Sequence, residues 1–311
     1  MTNNKDKQNS SFNEIKKTSL LPRLDFELLL AFASGLSREK LITYPDKNLG
    51  LRTLKKYKEL EKKRLENWPI AYLLGEKSFY DLNFKVSPKV LVPRPETEIL
   101  VENILKKVNE IENKKINIID LGTGSGAIII SLASQIKKIN SELFKKINFL
   151  GLDISSDALK VAKENAKNNK VETKIVFKKS DLLKILKNKK FNEDFDIFKN
   201  PLIISANLPY LKPEEFKQEK SISREPKLAL VAGKDGLKYY HELFKQLALI
   251  TKINSDKSQK NNKLKSLFLI CEINPEQVEL MKELVNKYLQ GTTIKIEKDL
   301  AGLDRFVIVS F

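Results

Sequence analysis

The chain has 311 residues, with 57 lysines and arginines against 40 aspartates and glutamates, for a formal charge of +17. A single cysteine, Cys271, excludes an internal disulfide and a disulfide-stapled secreted module, and one cysteine with one histidine, His241, cannot build a His/Cys zinc site; no metal is expected. Apolar residues make up 41% of the chain, enough for a real core, and no stretch of about 18 uncharged apolar residues offers a membrane span.

In chain order, residues 1–11 read as a frayed polar tail, with no apolar region of the kind a signal peptide carries. Residues 12–75 read as a small helical domain. Leu24, Leu28 and Ala31 recur at helical spacing, Ser37 marks a helix start, Tyr44-Pro45-Asp46 stops it, and Leu54, Leu60 and Leu65 punctuate a charged run. Residues 76–95 form a linker with a β-hairpin, in which Phe79-Tyr80 and Phe84-Lys85-Val86 flank a turn at Asp81-Leu82-Asn83. Pro93 and Pro95 break the chain, and a helix is expected near Thr97.

From Lys115 onward, strands alternate with helices. Strands are expected at 116–120, 147–153, 173–178, 201–206 and 267–273. Helices are expected at 127–139, 156–169, 237–250 and 276–289, the second capped by Ser155 or Ser156. Residues 292–297 and 305–310 would close the sheet as a hairpin. This alternation implies an α/β fold, a doubly wound and mainly parallel Rossmann-like sheet of seven strands, spanning residues 96–311. Two segments read as polar loops, Asn188 to Asn200 and Thr251 to Ser266.

Two motifs carry chemistry. Asp120-Leu121-Gly122-Thr123-Gly124-Ser125-Gly126 follows a strand and opens a helix. Its glycines permit a tight turn and close approach of a ligand to backbone, but the spacing is neither GxGxxG nor a P-loop. Asp153 ends the second strand, where a carboxylate can accept from both hydroxyls of a ribose. Together they read as an adenosyl-cofactor site of the S-adenosylmethionine type, against the plainer reading of a generic strand-to-helix turn.

The second motif, Asn207-Leu208-Pro209-Tyr210, leaves a buried strand at its carboxyl end, where open α/β sheets bind ligands. A planar amino nitrogen is a poor nucleophile because its lone pair is delocalised. A site helps by accepting both of its N–H protons, so that the lone pair aims at the methyl donor. The Asn207 side-chain oxygen and the Leu208 carbonyl are the two acceptors, Pro209 restricts Leu208, and Tyr210 supplies an aromatic wall. The plainer reading is a strand-ending turn.

At these residues the chain resembles the PrmC/HemK family, the N5-glutamine methyltransferases of peptide chain release factors. The resemblance runs from about Trp68 onward. It includes Pro93-Arg94-Pro95-Glu96-Thr97-Glu98, the Gly-rich turn, Arg224-Glu225-Pro226-Lys227-Leu228-Ala229-Leu230 and Gly233-Lys234-Asp235-Gly236-Leu237. It implies a class I methyltransferase fold and S-adenosyl-L-methionine as cofactor, with S-adenosyl-L-homocysteine as product. Gly122, Thr123, Gly124, Ser125, Gly126, Asp153, Leu182 and Asn207 would touch that cofactor, with Leu182 where the family often has an aromatic residue. Asn207 to Tyr210 would hold the glutamine of the Gly-Gly-Gln loop of a class 1 release factor, and the helical domain would recognise that protein. The implied protein is cytoplasmic and monomeric, without membrane or nucleic-acid partners.

The family usually has Asn-Pro-Pro-Tyr where this chain has Asn-Leu-Pro-Tyr, a form shared with adenine dimethyltransferases of ribosomal RNA. That keeps an RNA adenine N6-methyltransferase as an alternative, and a ribosomal-protein glutamine methyltransferase, which shares most of these motifs, is the other. The charge reads chiefly as lysine-rich solvated faces, because only seven basic residues are arginine and bidentate phosphate or guanine reading favours arginine; a nucleic-acid footprint is the sharper reading. Arg94, Glu96 and Glu98 either orient a loop over the site or begin a helix. Arg224 and Glu225 suggest a loop clasp, His241 reads as structural and unpartnered, Cys271 as core, and Trp68 as core or partner-facing.

Overall fold

A computed structural model describes residues 10–111, 115–195, 199–255 and 266–311. The chain divides into two compact units, one running up to Glu76 with Glu219–Arg224 added, the other comprising Lys77–Gln218 and Glu225–Phe311.

The smaller unit is helical: Phe12–Thr18, Arg23–Ser34, Arg38–Thr43, Leu51–Leu65 and Ile70–Leu74. The last, inside the expected helical domain, is only five residues, opened by Pro69 and closed by left-handed Gly75. Phe12, Phe26, Leu30, Leu41 and Tyr57 fill its core, with Phe26 edge-on to Tyr57 at 5.6 Å between ring centres. Buried Glu27 accepts from Arg38 and Arg23 at 2.7 and 2.8 Å, and these bonds, the one from Arg38 foremost, hold its carboxyl below its usual range. Most of the expected tail, residues 1–9, lies outside the described residues. Ser10 and Ser11 do not fit a tail: both are buried, Ser10 Oγ donates to Asn48 and Ser11 caps the first helix.

The larger unit opens with a hairpin of β1 (Glu76–Phe79) and β2 (Leu82–Lys85). Its turn is tighter than expected. Tyr80 and Asp81 alone make it, both left-handed (φ 49° and 58°), which suits the right-handed twist of a two-residue hairpin. Leu82 and Asn83 consequently belong to β2. The Tyr80 N–H donates to Glu98 Oε1 at 2.9 Å.

The main sheet contains β3 (Ile116–Leu121), β4 (Ile147–Asp153), β5 (Ile175–Lys179), β6 (Leu202–Ala206), β7 (Leu267–Glu272), β8 (Thr293–Lys298) and β9 (Asp304–Ser310), in the order β5-β4-β3-β6-β7-β9-β8. The first five strands in that order run parallel and β9 runs antiparallel to both its neighbours. This is the seven-stranded, mainly parallel Rossmann-like sheet expected. Every residue of β3 and β6 is buried, because helices cover both faces of a parallel sheet. Helices Glu98–Glu110, Ala127–Ile139 and Ser156–Asn168 contribute to one apolar cluster, Lys238–Ser255 and Val278–Tyr288 to the other.

The order of strands reverses beside β3: the chain goes outward through β4 and β5, then returns to β6 on the opposite side. Such a switch point opens a crevice at the carboxyl ends of the strands. The register brings those ends level, with Leu121 opposite both Leu152 and Ala206.

Three local differences from expectation have simple causes. Ser141–Lys146 forms a short helix because Asn140 accepts the Leu143 N–H at 2.9 Å. The expected loop from Asn188 contains a helix, Lys189–Phe195, where Phe191 and Phe195 stack one turn apart. The helix expected to stop at Ile250 continues to Ser255, and residues 256–265 of the second expected loop lie outside the described residues. Lysine–acid pairs three residues apart lie on exposed helix faces, as at Lys145–Glu142 and Lys282–Glu279; solvent screens them and they contribute little.

Candidate active site

The Gly-rich turn is held from below by a buried carboxylate. Asp120 is fully buried at the end of β3 and accepts the Thr123 hydroxyl at 2.6 Å and the Ser205 hydroxyl of neighbouring β6 at 2.8 Å. Burial pushes its carboxyl up to about 7. The sequence motif contains this residue without giving it a role; its signal was a lone acid near the end of a strand that is otherwise Ile, Leu and one Asn. Gly122 is left-handed, and a Cβ there would press on the Leu208 side chain at 3.3 Å. Its lack of a side chain is what lets the turn and the β6 motif meet.

Asp153 ends β4 beside this turn. One oxygen accepts the Gly124 N–H at 2.9 Å and the other the Ser155 N–H at 2.8 Å. Burial raises its carboxyl above the usual range. Each oxygen keeps a lone pair free for a further donor. Ser155 also caps the helix Ser156–Asn168.

The Asn207 amide is fixed by two partners that also bond to each other. Its Nδ2 donates to Thr97 Oγ1 at 3.0 Å and to Glu272 Oε2 at 2.9 Å, and Thr97 donates its hydroxyl to the same Glu272 oxygen at 2.7 Å. Both amide protons are thus spent inside the protein, and Oδ1 is left as the acceptor. Glu272 is 1% exposed at the end of β7, and burial pushes its carboxyl up to about 7. Neither Thr97 nor Glu272 was singled out in the sequence. Their signals were faint: a threonine inside the Pro93–Glu98 run and an acid closing the apolar strand Leu267–Glu272.

Beyond Asn207, the Tyr210 carbonyl accepts from Gln277 Nε2 at 2.9 Å, and Gly236, left-handed at φ 72°, packs against both groups. Burial, followed by the charge of Glu272, raises the Tyr210 phenol to about 12, so it stays protonated at neutral pH. Arg94 pairs with buried Glu225 at 2.5 Å, and the other Glu225 oxygen accepts the Val92 N–H at 3.0 Å. This clasp ties the Pro93–Glu98 run to the segment after Arg224. Arg224 Nε donates to the Glu66 carbonyl within the smaller unit, with its guanidinium 5.4 Å above the Trp68 ring. His241 is not unpartnered, as its Nε2 lies 3.4 Å from Asp235 Oδ2. Cys271 is buried in β7 and burial raises its thiol, so it is a core residue.

One cavity gathers most of these groups. Gly122, Gly124, Asp153, Leu182, Asn207, Leu208 and Pro209 all line it, joined by apolar Leu152, Ile154, Leu228 and by Tyr239. Thr123, Ser125, Gly126 and Tyr210, also singled out in the sequence, lie outside its lining. Thr123 instead braces Asp120, and Ser125 gives its carbonyl to Asn165 Nδ2 at 2.9 Å. Leu182 is left-handed at φ 51°, held there by the Ser180 hydroxyl donating to its carbonyl at 2.7 Å. An acceptor pair at Asp153, bare backbone at Gly122 and Gly124, and an apolar wall at Leu182 and Ile154 suit a molecule with a sugar diol and an aromatic base. Among the described residues, no group of three or more His, Cys, Asp or Glu is placed to hold a metal, and no helix is long and apolar enough to cross a membrane.

The two buried carboxyls give a pH dependence of definite sign. Asp120 and Glu272 hold a proton more tightly folded than at their ordinary values of 3.8 and 4.5. Their contribution to stability is therefore present below about 4 and is lost as pH rises toward 7. Carboxyls lowered by folding, such as Glu27 and Glu61, titrate below that window. The melting temperature is expected to be higher at pH 6 than at pH 8, with the difference shrinking in Asp120→Asn. An equal or higher melting temperature at pH 8 would contradict this assignment.

Comparison with known proteins extends these observations. Residues 112–300 match the family described as a methyltransferase domain, and residues 13–75 match the PrmC N-terminal domain. The chain is 33% identical over 287 residues to the release factor glutamine methyltransferase of Bacillus subtilis, covering 90% of this chain and 88% of that one. It is 34% identical to the Coxiella burnetii protein of the same name, covering 95% and 94%. The Flavobacterium psychrophilum protein of that name is 35% identical, covering 92% and 90%.

Proposed function

This chain belongs to the release factor glutamine methyltransferase family, and from that premise we propose that it methylates the side-chain amide nitrogen of the glutamine in the Gly-Gly-Gln loop of a class 1 peptide chain release factor. S-adenosyl-L-methionine would supply an electrophilic methyl group when bound, with S-adenosyl-L-homocysteine as the leaving group. Asp153 would accept the ribose hydroxyls, Gly122 and Gly124 would offer bare backbone, and Leu182 would pack on the base.

The observation that carries the reading is the orientation of Asn207. With both amide protons committed to Thr97 and Glu272, its Oδ1 accepts one N–H of the substrate amide while the Leu208 carbonyl accepts the other. The substrate nitrogen is held with its lone pair outward, which converts an encounter of two molecules into a positioned attack. No strong base is called for, because the nitrogen, once methylated and cationic, readily loses a proton to solvent water. Neutral Tyr210 walls the substrate side. The helical residues 12–75 recognise the protein substrate, and the enzyme acts as a cytoplasmic monomer.

Incubation with methyl-labelled cofactor, purified release factor, ribosomal protein and ribosomal RNA tests the reading. Label is expected on the release factor. Label confined to RNA or to ribosomal protein would replace it with one of those activities.

A further inference from the structure

An asparagine side chain has two nearly isosteric ends, one donating and one accepting. A site that uses only the accepting end needs something to keep the amide from turning over. Here the hydrogen-bond count settles which end faces where. Thr97 has a single hydroxyl proton, and it goes to Glu272 Oε2, so Thr97 Oγ1 can only accept from Asn207. Glu272 Oε2 can only accept when ionised. Both neighbours of Nδ2 therefore demand a donor. Turning the amide over would place Oδ1 at 2.9 Å from a carboxylate oxygen and 3.0 Å from a hydroxyl oxygen with no proton to share. Such a contact costs a buried hydrogen bond and adds a repulsion between like partial charges.

The three members come from distant parts of the chain: Thr97 from the 3-10 turn Pro95–Thr97, Asn207 from just beyond β6, Glu272 from the end of β7. Tyr240, fully buried, donates its hydroxyl to the backbone carbonyls of Ala206 and Glu272 and ties the two strand ends together. The carboxylate does one thing more. By accepting from Nδ2 it polarises the Asn207 amide, so that Oδ1 becomes a stronger acceptor, as hydrogen bonds in a chain strengthen one another.

We infer that Glu272, with Thr97, is a positioning residue: it holds Asn207 with Oδ1 toward the substrate nitrogen and strengthens that oxygen as an acceptor. The inference deepens the proposed function and rests on it for the identity of the substrate. Glu272 touches neither substrate nor cofactor in this account.

Four variants of the full chain test it: Glu272→Leu, Glu272→Gln, Thr97→Val and Thr97→Ser. Glu272→Leu frees the amide to turn over, and kcat with release factor is expected to fall about a hundredfold, the scale seen when one preorganised partner is lost. Glu272→Gln keeps an acceptor but removes the charge, and a fall of about tenfold is expected. Thr97→Val is expected to lose about as much as Glu272→Gln, and Thr97→Ser, which keeps the hydroxyl, to regain at least half of wild-type kcat. Binding of S-adenosyl-L-homocysteine should stay within about threefold throughout, a split that a merely structural tie would not give. A kcat within threefold of wild type in Glu272→Gln and Thr97→Val overturns the inference, as does a loss of kcat matched by an equal loss of binding.

A readout without substrate separates this inference from the function it rests on. In the wild-type protein the two Nδ2 protons of Asn207 are expected as slowly exchanging nitrogen-15 NMR signals, and Glu272→Gln should speed their exchange at least tenfold. Slow exchange in a protein that fails to methylate the release factor would remove the function and leave the positioning. Fast exchange in the wild type would remove the positioning and leave the function.

Discussion

Replacing Asn207 by alanine is expected to lower kcat about a thousandfold while the affinity for S-adenosyl-L-homocysteine changes less than about tenfold. Two losses combine. The substrate amide loses one of the two acceptors that hold its nitrogen, an interaction of the class worth about 100- to 1,000-fold in turnover. Thr97 and Glu272 also lose the donor between them, and Glu272, 1% exposed, becomes a buried carboxylate with one fewer partner. Asn207 is one of many groups lining the cavity, so the cofactor keeps most of its contacts. Steady-state kinetics with release factor, set beside calorimetric titration with the product cofactor, checks the split. An unchanged kcat would overturn the mechanism.

Replacing Gly236 by alanine is expected to damage both stability and turnover. The residue is left-handed, a conformation that costs a side-chain-bearing residue roughly 1–2 kcal/mol. A Cβ there would also overlap the Tyr210 carbonyl oxygen and the Gln277 Nε2, two groups that are hydrogen-bonded to each other. The Tyr210 carbonyl cannot retreat without moving the segment after Asn207, and the Gln277 side chain can retreat only by giving up its bond to that carbonyl; forcing atoms into packed surroundings typically costs about 1–3 kcal/mol. The melting temperature is expected to fall by roughly 5–10 °C, at about 2–4 °C per kcal/mol for a chain of this class. Turnover should fall at least tenfold even well below the transition. Thermal denaturation followed by assay at low temperature separates the two effects. A stable variant with full activity would show that the Tyr210 backbone is not fixed by this contact.

Much of the fold was legible because it rests on local patterns. The isoleucine-rich run Ile116–Leu121 announced a buried strand, and the glycines after it announced a turn. The Asn207–Tyr210 motif could be placed at a strand end for the same reason, and the structure brings Asn207, Leu208 and Pro209 to the same cavity as Gly122, Gly124 and Asp153. What stayed illegible depends on partners far away in sequence. Glu272 looks like any acid leaving a strand until the fold sets it against Thr97, 175 residues earlier. Asp120 looks like part of a glycine motif until β6 brings Ser205 onto it. The hairpin turn was misplaced for a different reason: Tyr80 carries no turn signal, and only the geometry of a two-residue loop puts it at positive φ.

The most direct measurement concerns the atom that receives the methyl group. The release factor should be methylated with labelled S-adenosyl-L-methionine, the peptide bearing the Gly-Gly-Gln sequence isolated, and that peptide hydrolysed in acid. Two acceptors that each take a proton from a planar amide select its nitrogen, so the label is predicted to leave as methylamine, with glutamate remaining. Label released as methanol, which marks a carboxyl ester, would contradict the account, as would label found only on adenine of ribosomal RNA.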